Sequence, residues 1–167
     1  MTSIKYDEIF SQFLGMVEDN KFWSISQDDT NEILTELLHK SVYASYVYRL
    51  FSYISTEDPT QMLIFELYNP VNEIGDKYFV ITAIAKWMKY EWFSPQLNSV
   101  VNTSQMFAGK EQKMYSQAQH MAELKALTDG AYKEARDFIR DKGYIYNDYL
   151  LRRYADGSGN IYKGGAS

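Results

Sequence analysis

Asp76-Lys77-Tyr78-Phe79-Val80-Ile81-Thr82-Ala83-Ile84-Ala85-Lys86-Trp87-Met88-Lys89-Tyr90-Glu91-Trp92 decides the fold class. Val80, Ala83, Ile84, Trp87, Met88 and Trp92 follow one another at the spacing that gathers side chains on one face of a helix. Lys86, Lys89 and Glu91 break the apolar run, so it is too polar and too short to span a bilayer and belongs against a core. Pro95 is predicted to end or kink this helix, because its ring removes a donor and restricts Ser94. Gln96 to Phe107 then reads as a short helical or looped continuation that closes near Gly109.

The flanking segments carry the same period. Ile33, Leu34, Leu37, Leu38, Ser41, Val42, Ser45 and Tyr48 trace a stripe, which predicts a helix from about Gln27 to Arg49 with Ser26 as N-cap and Asp28 and Asp29 in its first turn. Ile9, Phe10, Phe13, Leu14 and Val17 predict an earlier helix from about Ser3 to Glu18. From about Glu111 to Lys142 a long helix is expected, with Met114, Ala118, Met121, Leu124, Leu127, Ala131, Ala135 and Phe138 as a narrow seam and Gly130 as its weak point. Between residues 51 and 76 the pattern fails. Pro59, Pro70 and Gly75 punctuate it around the apolar run Met62 to Tyr68, so a strand pair, local helix or irregular contact segment is expected. The expectation is a mainly α domain over residues 1–142: a small helical bundle with a long C-terminal helix and an irregular or short β excursion at about 51–76. Its core is expected to include Leu34, Leu37, Leu38, Ile84, Trp87, Met88, Trp92, Met121 and Leu124.

Beyond Gly143 the character changes. Tyr144, Tyr146, Tyr149, Tyr154 and Tyr162 stand among Arg152, Arg153 and the turn-forming run Asp156-Gly157-Ser158-Gly159-Asn160. Residues 143–167 therefore read as an extended arm, disordered when free and ordered on a partner. Fixing a residue costs about 1–2 kcal/mol of backbone entropy, which aromatic burial and main-chain hydrogen bonds on a neighbour can offset.

Composition narrows the function classes. At 167 residues with 46 % hydrophobic and 23 % charged residues, the chain suits one domain with a real core. Fifteen tyrosines point to interfaces, since Tyr combines a large apolar body with a hydrogen-bonding tip. The absence of Cys excludes a disulfide scaffold, thiolate catalysis and Cys-based zinc sites. No signal peptide is expected from the Met1 to Glu8 stretch. Residues 1–76 carry 4 basic and 13 acidic side chains and residues 77–167 carry 13 and 9, so −9 and +4 sum to the net −5. Such a two-signed chain suits head-to-tail self-association or docking on a charged partner, while the acidic balance argues against a dedicated nucleic-acid binder.

Enzymatic signatures are weak. Glu36-Leu37-Leu38-His39 has the Glu-x-x-His spacing of di-iron bundles, but Gln117-Ala118-Gln119-His120 lacks the second carboxylate, so both histidines read as surface residues and no metal is expected. Gly157 to Gly164 is glycine-rich without a following helix to hold a phosphate, so no nucleotide or other cofactor is expected. No Gly-x-Ser-x-Gly elbow occurs, and no catalytic residue is assigned.

The blocks Lys86 to Leu97 (KWMKYEWFSPQL), Lys113 to Lys125 (KMYSQAQHMAELK) and Ile25 to Leu34 (ISQDDTNEIL) resemble structural proteins of tailed bacteriophages, and most closely the head-to-tail connector, or adaptor (neck), proteins beneath the portal. The resemblance covers roughly residues 25–142. The middle excursion and Tyr-rich tail depart from the compact helical members of that group. The resemblance implies a non-enzymatic virion protein, present in the host cytoplasm during assembly. It would form a ring of about a dozen copies bound to the portal on one side and to a stopper or tail-completion protein on the other. It further implies that the arm, through Tyr144, Tyr146, Tyr149, Arg152, Arg153, Tyr154 and Tyr162, docks on the portal, and that acidic residues lie near passing genomic DNA without binding it. No membrane partner is implied. The alternative is a cellular helical protein-binding or regulatory module that docks through the same tail.

Overall fold

The structure, a computed structural model, describes residues 1–17, 26–106 and 111–145, with side chains at 1–17, 26–99 and 118–142. Strand β1 (Thr2–Lys5) leads directly into α1 (Tyr6–Leu14), followed by α2 (Gln27–Val42) and the single turn α3 (Ser45–Tyr48). The strands β2 (Phe51–Glu57) and β3 (Met62–Leu67) precede two long helices, α4 (Glu73–Met106) and α5 (Glu111–Ile145). The fold is mainly helical, with one small antiparallel sheet in the order β1-β3-β2.

Helix α4 is the axis, packed by α1, α2, α5 and β1. Its stripe Val80, Ala83, Ile84, Trp87 and Met88 is buried, as are Leu34, Leu37, Leu38 and Val42 of α2 and Ile9, Phe10 and Phe13 of α1. Fully burying one such large side chain contributes roughly 1.5–3 kcal/mol, so this shared interior outweighs the local propensities of the helices around it. Trp87 centres an aromatic cluster: Tyr46 of α3 stacks on it at 5.7 Å, Tyr90 meets it edge-on at 5.8 Å, and Tyr132 of α5 lies at 5.8 Å. The Arg49 guanidinium lies over the Tyr46 ring, 4.4 Å from its centre. Along the same α4–α5 interface, Lys86 and Lys89 both reach Glu134, the latter at 3.4 Å.

The 51–76 excursion is a hairpin followed by the start of α4, so the strand-pair alternative holds for its apolar part. Leu63, Phe65 and Leu67 alternate inward with Ile4 and Phe51, while Glu66 faces out. The connecting turn has Asp58 accepting from Gln61 N at 3.2 Å and Gln61 at φ 50°, an uncommon conformation for a residue with a side chain. The Gln61 carbonyl in turn accepts the Tyr6 amide at 2.9 Å, which ties the turn to the start of α1.

Four boundaries differ from the sequence reading. Residues 3–5 are strand rather than helix: β3 offers an open edge, and Thr2 and Ile4 pair with Phe65 and Leu63 with Ile4 facing in. The second predicted helix breaks at Tyr43 and Ala44, and the extended backbone of Ala44 (φ −61°, ψ 135°) resets the phase, so Val47 is buried while Ser45 and Tyr48 are exposed. Helix α4 does not end at Pro95 but runs on to Met106, so of the two readings of the stretch after it the helical continuation holds. The proline faces solvent, and Gln96 Nε2 donates to the Trp92 carbonyl at 3.1 Å in the turn it interrupts. Helix α5 likewise passes Gly143 and ends at Ile145, since one helical glycine costs only about 1 kcal/mol. Its buried seam is Leu124, Thr128, Ala131, Ala135 and Ile139, which leaves Ala118 and Leu127 exposed and Met121 and Phe138 half-buried.

Candidate interaction surface

The strongest candidate site lies where the start of α4 meets the end of α5. The sequence Asn69-Pro70-Val71-Asn72 stops β3 and caps α4: Asn72 Oδ1 accepts the Gly75 amide at 2.7 Å, the bond expected of an N-cap. A Cβ on Gly75 would stand 3.0 Å from that same oxygen, so the glycine lets the cap close tightly. One turn in, buried Asp76 joins three segments. Its Oδ2 accepts the Val71 amide at 2.8 Å and its Oδ1 accepts Lys142 Nζ of α5 at 2.9 Å. The Lys142 ammonium also sits 3.9 Å from the centre of the Phe79 ring, and Phe79 stacks on Phe138 of α5 at 5.4 Å. A cation held by a carboxylate and an aromatic face is well compensated for its lost hydration.

These groups line a cleft of about 270 Å³ whose floor is Phe79 and Phe138 and whose walls include Val71, Asp76 and Asp141. Nearby stand large apolar side chains turned outward: Val71 is 40 % exposed, Tyr68 66 %, Tyr78 69 % and Ile74 70 %. Ile74 and Tyr78 are one helical turn apart, on the side of α4 away from Val80 and Ile84, so they contribute nothing to the core. Exposed apolar groups that cluster rather than scatter mark contact surfaces. The Tyr68 amide donates to the Leu50 carbonyl at 3.1 Å, bringing this end of the sheet beside α3, where Tyr43 and Tyr48 form a further exposed ring pair at 6.0 Å.

A second constellation joins Tyr6, His39 and Asp58. Asp58 Oδ1 accepts the Tyr6 hydroxyl at 2.9 Å and lies 2.9 Å from His39 Nε2. The bond from Tyr6, then that from His39, holds the Asp58 carboxyl below the usual carboxylate range. Burial first, and Asp58 second, push the Tyr6 hydroxyl well above the ordinary phenol value, so it stays a donor and is no nucleophile at neutral pH. The arrangement fastens the hairpin turn to α1 and α2.

Glu36 and His39, adjacent on α2, go to different partners: Glu36 pairs with Lys40 at 2.6 Å and His39 with Asp58. Among the described residues no group of three or more His, Asp or Glu side chains is placed to hold a metal ion. His120 is exposed on α5. Of the expected core residues, Leu34, Leu37, Leu38, Ile84, Trp87, Met88 and Leu124 are buried, Trp92 packs half-buried against the core, and Met121 is half-buried. Tyr144 falls in the last turn of α5, where only the backbone is described. Tyr146, Tyr149, Arg152, Arg153, Tyr154 and Tyr162 lie outside the described residues.

The sequence reading missed both the Tyr6–Asp58–His39 link and the exposed apolar pair Ile74 and Tyr78 in the first turns of α4. For the first no sequence signal exists, because the three residues come from separate segments. For the second a signal was present: Ile74 and Tyr78 form an apolar pair out of phase with the Val80–Ile84 stripe. Comparison with known protein families, with curated proteins and with solved structures finds no match to this chain. No helix among the described residues is long and apolar enough to cross a membrane.

Proposed function

We propose that this chain is a structural assembly protein, a subunit of the oligomeric connector ring between portal and tail in a tailed bacteriophage. The observation that carries the proposal is the coincidence at one end of the molecule of an apolar cleft, four outward-facing apolar side chains and the last turn of α5, which leads into the Tyr-rich residues 146–167. Contact surface and connecting segment together are what a subunit needs to hold neighbours on two sides. The blocks that resemble phage connector proteins, Lys86 to Leu97, Lys113 to Lys125 and Ile25 to Leu34, give the reading its viral context. The segregation of charge, −9 over residues 1–76 and +4 over 77–167, supports contact between unlike faces of successive subunits, which closes into a ring when the rotation permits. In this reading the tail segment meets the portal, a stopper or tail-completion protein occupies the opposite side, and acidic residues near the channel leave passing DNA unbound.

The test is sedimentation of the intact chain mixed with the portal protein of the same virus. Co-migration as one complex with several copies of this chain per portal supports the proposal. Independent migration in assembly buffer contradicts it and leaves the cellular binding module as the reading to pursue.

A further inference from the structure

We propose that the open edge of β2 pairs antiparallel with β2 of a second copy, about a two-fold axis at Ser55, so that two three-stranded sheets continue as one. Backbone groups along β3 turn alternately to one neighbour and the other. The Tyr6 amide donates to the Gln61 carbonyl, and the register carries this bonded series on through Ile4 with Leu63 and Thr2 with Phe65. Met62, Ile64 and Glu66 therefore bond to β2, opposite Glu57, Ser55 and Tyr53. The amides and carbonyls of Ile54 and Thr56 point the other way, and no backbone group outside the sheet pairs with them among the described residues. The opposite edge of the sheet is closed: the Lys5 amide of β1 donates to the Glu8 carboxylate at 3.3 Å, and α1 and α4 pack against that strand. Exposed edges are normally guarded by proline, lysine or an inward charge. Phe51 to Thr56 carries none of these, and the bulge that twists β2 lies at its start, between Phe51 and Tyr53.

The strand's own pattern selects a second copy as the occupant. With Ser55 on the axis, Ile54 and the partner's Thr56 form one bonded pair and Thr56 and the partner's Ile54 the other, each exchanging two hydrogen bonds. An axis at Ile54 would instead set Thr56 opposite Ser52, the extra residue of the bulge. On the solvent face of the sheet, which Tyr53, Ser55 and Glu57 share with Glu66, the small Ser55 meets itself, an arrangement in which hydroxyls bond across strands. Glu57, the one charge of β2, faces the partner's Tyr53, whose hydroxyl can donate to it, and the two Glu57 carboxylates stay about 14 Å apart, beyond the screening length. With β1 closed, β2 has no second edge to pair with head to tail, so the contact is isologous. The inference requires only this chain and does not depend on the connector reading. Within that reading the pair is the form of the free protein and opens as subunits take their places, because a two-fold contact does not repeat around a one-directional ring.

Sedimentation velocity of the intact chain, without portal, tests the pairing. Two strand edges bury less than the roughly 1,000 Å² of a stable interface, so a reversible dimer is expected with a dissociation constant of about 10–100 μM. Ser55→Lys sets two ammonium groups against each other on the axis and is expected to raise that constant about tenfold or more. Tyr53→Lys sets an ammonium against the partner's Glu57 and keeps the dimer. Both substitutions lie on the solvent face of the sheet, and equal circular dichroism of the three proteins confirms that each is folded. A chain that stays monomeric up to about 1 mM overturns the proposal, as does a dimer that Ser55→Lys leaves unchanged. Loss of the dimer to the same extent in Tyr53→Lys contradicts the register and overturns it too.

Discussion

Asp76 shows how much one side chain can hold. It is buried, accepts from the Val71 amide and the Lys142 ammonium, and so joins the loop before α4 to the last turns of α5. Asp76→Ala leaves both donors without their partner and is expected to cost about 2–4 kcal/mol in a urea titration. Glu134 acts more weakly and depends on pH. The hydrogen bond from Lys86 keeps its carboxyl below the usual range, so its contribution is complete above the unfolded-state value and is lost as pH falls through the folded-state value. Glu134→Gln is therefore expected to be less stable than the native protein at neutral pH. The gap should close as pH drops below the carboxylate range, measured by urea titration at a series of pH values. Gly130 gives a third test: an added Cβ there meets nothing within 4 Å, and the position is an exposed helix interior. Gly130→Ala should raise stability by about 0.5–1 kcal/mol, seen as a higher midpoint in the same titration.

At the scale of elements, legibility followed the period. The helices that bury a continuous stripe, α2 and α4, were readable because Leu34, Leu37, Leu38, Ile84, Trp87 and Met88 repeat at helical spacing and lie inside. Trp87→Ala is expected to cost about 3 kcal/mol or more, because it also empties the centre of the Tyr46, Tyr90 and Tyr132 cluster. Strand β1 was not readable as such. Its four residues offer one inward side chain, Ile4, and only pairing with Leu63 of a distant strand fixes their conformation. The break at Tyr43 and Ala44 was hidden for a similar reason, since the sequence continues in phase and the chain turns there to bring Phe51 to the sheet. The surface around the cleft was only half legible. The exposed pair Ile74 and Tyr78 on α4 is visible out of phase with the buried stripe, whereas the bond between Asp76 and Lys142 in the cleft joins residues 66 positions apart.

In the assembly proposed for the whole molecule, one end of the α4–α5 pair is the contact surface and the rest a scaffold that positions it. The charge asymmetry predicts that association with a portal weakens as salt rises from low to physiological strength, where the screening length is about 8 Å. The most direct test of the central claim compares the intact chain with one truncated after Ile145, the end of α5, by circular dichroism and by co-sedimentation with the portal protein. The account predicts the same helical signal from the folded core in both proteins and incorporation into the portal complex by the intact chain alone. A truncated chain that keeps its helical signal and joins the portal as tightly as the intact one would contradict it.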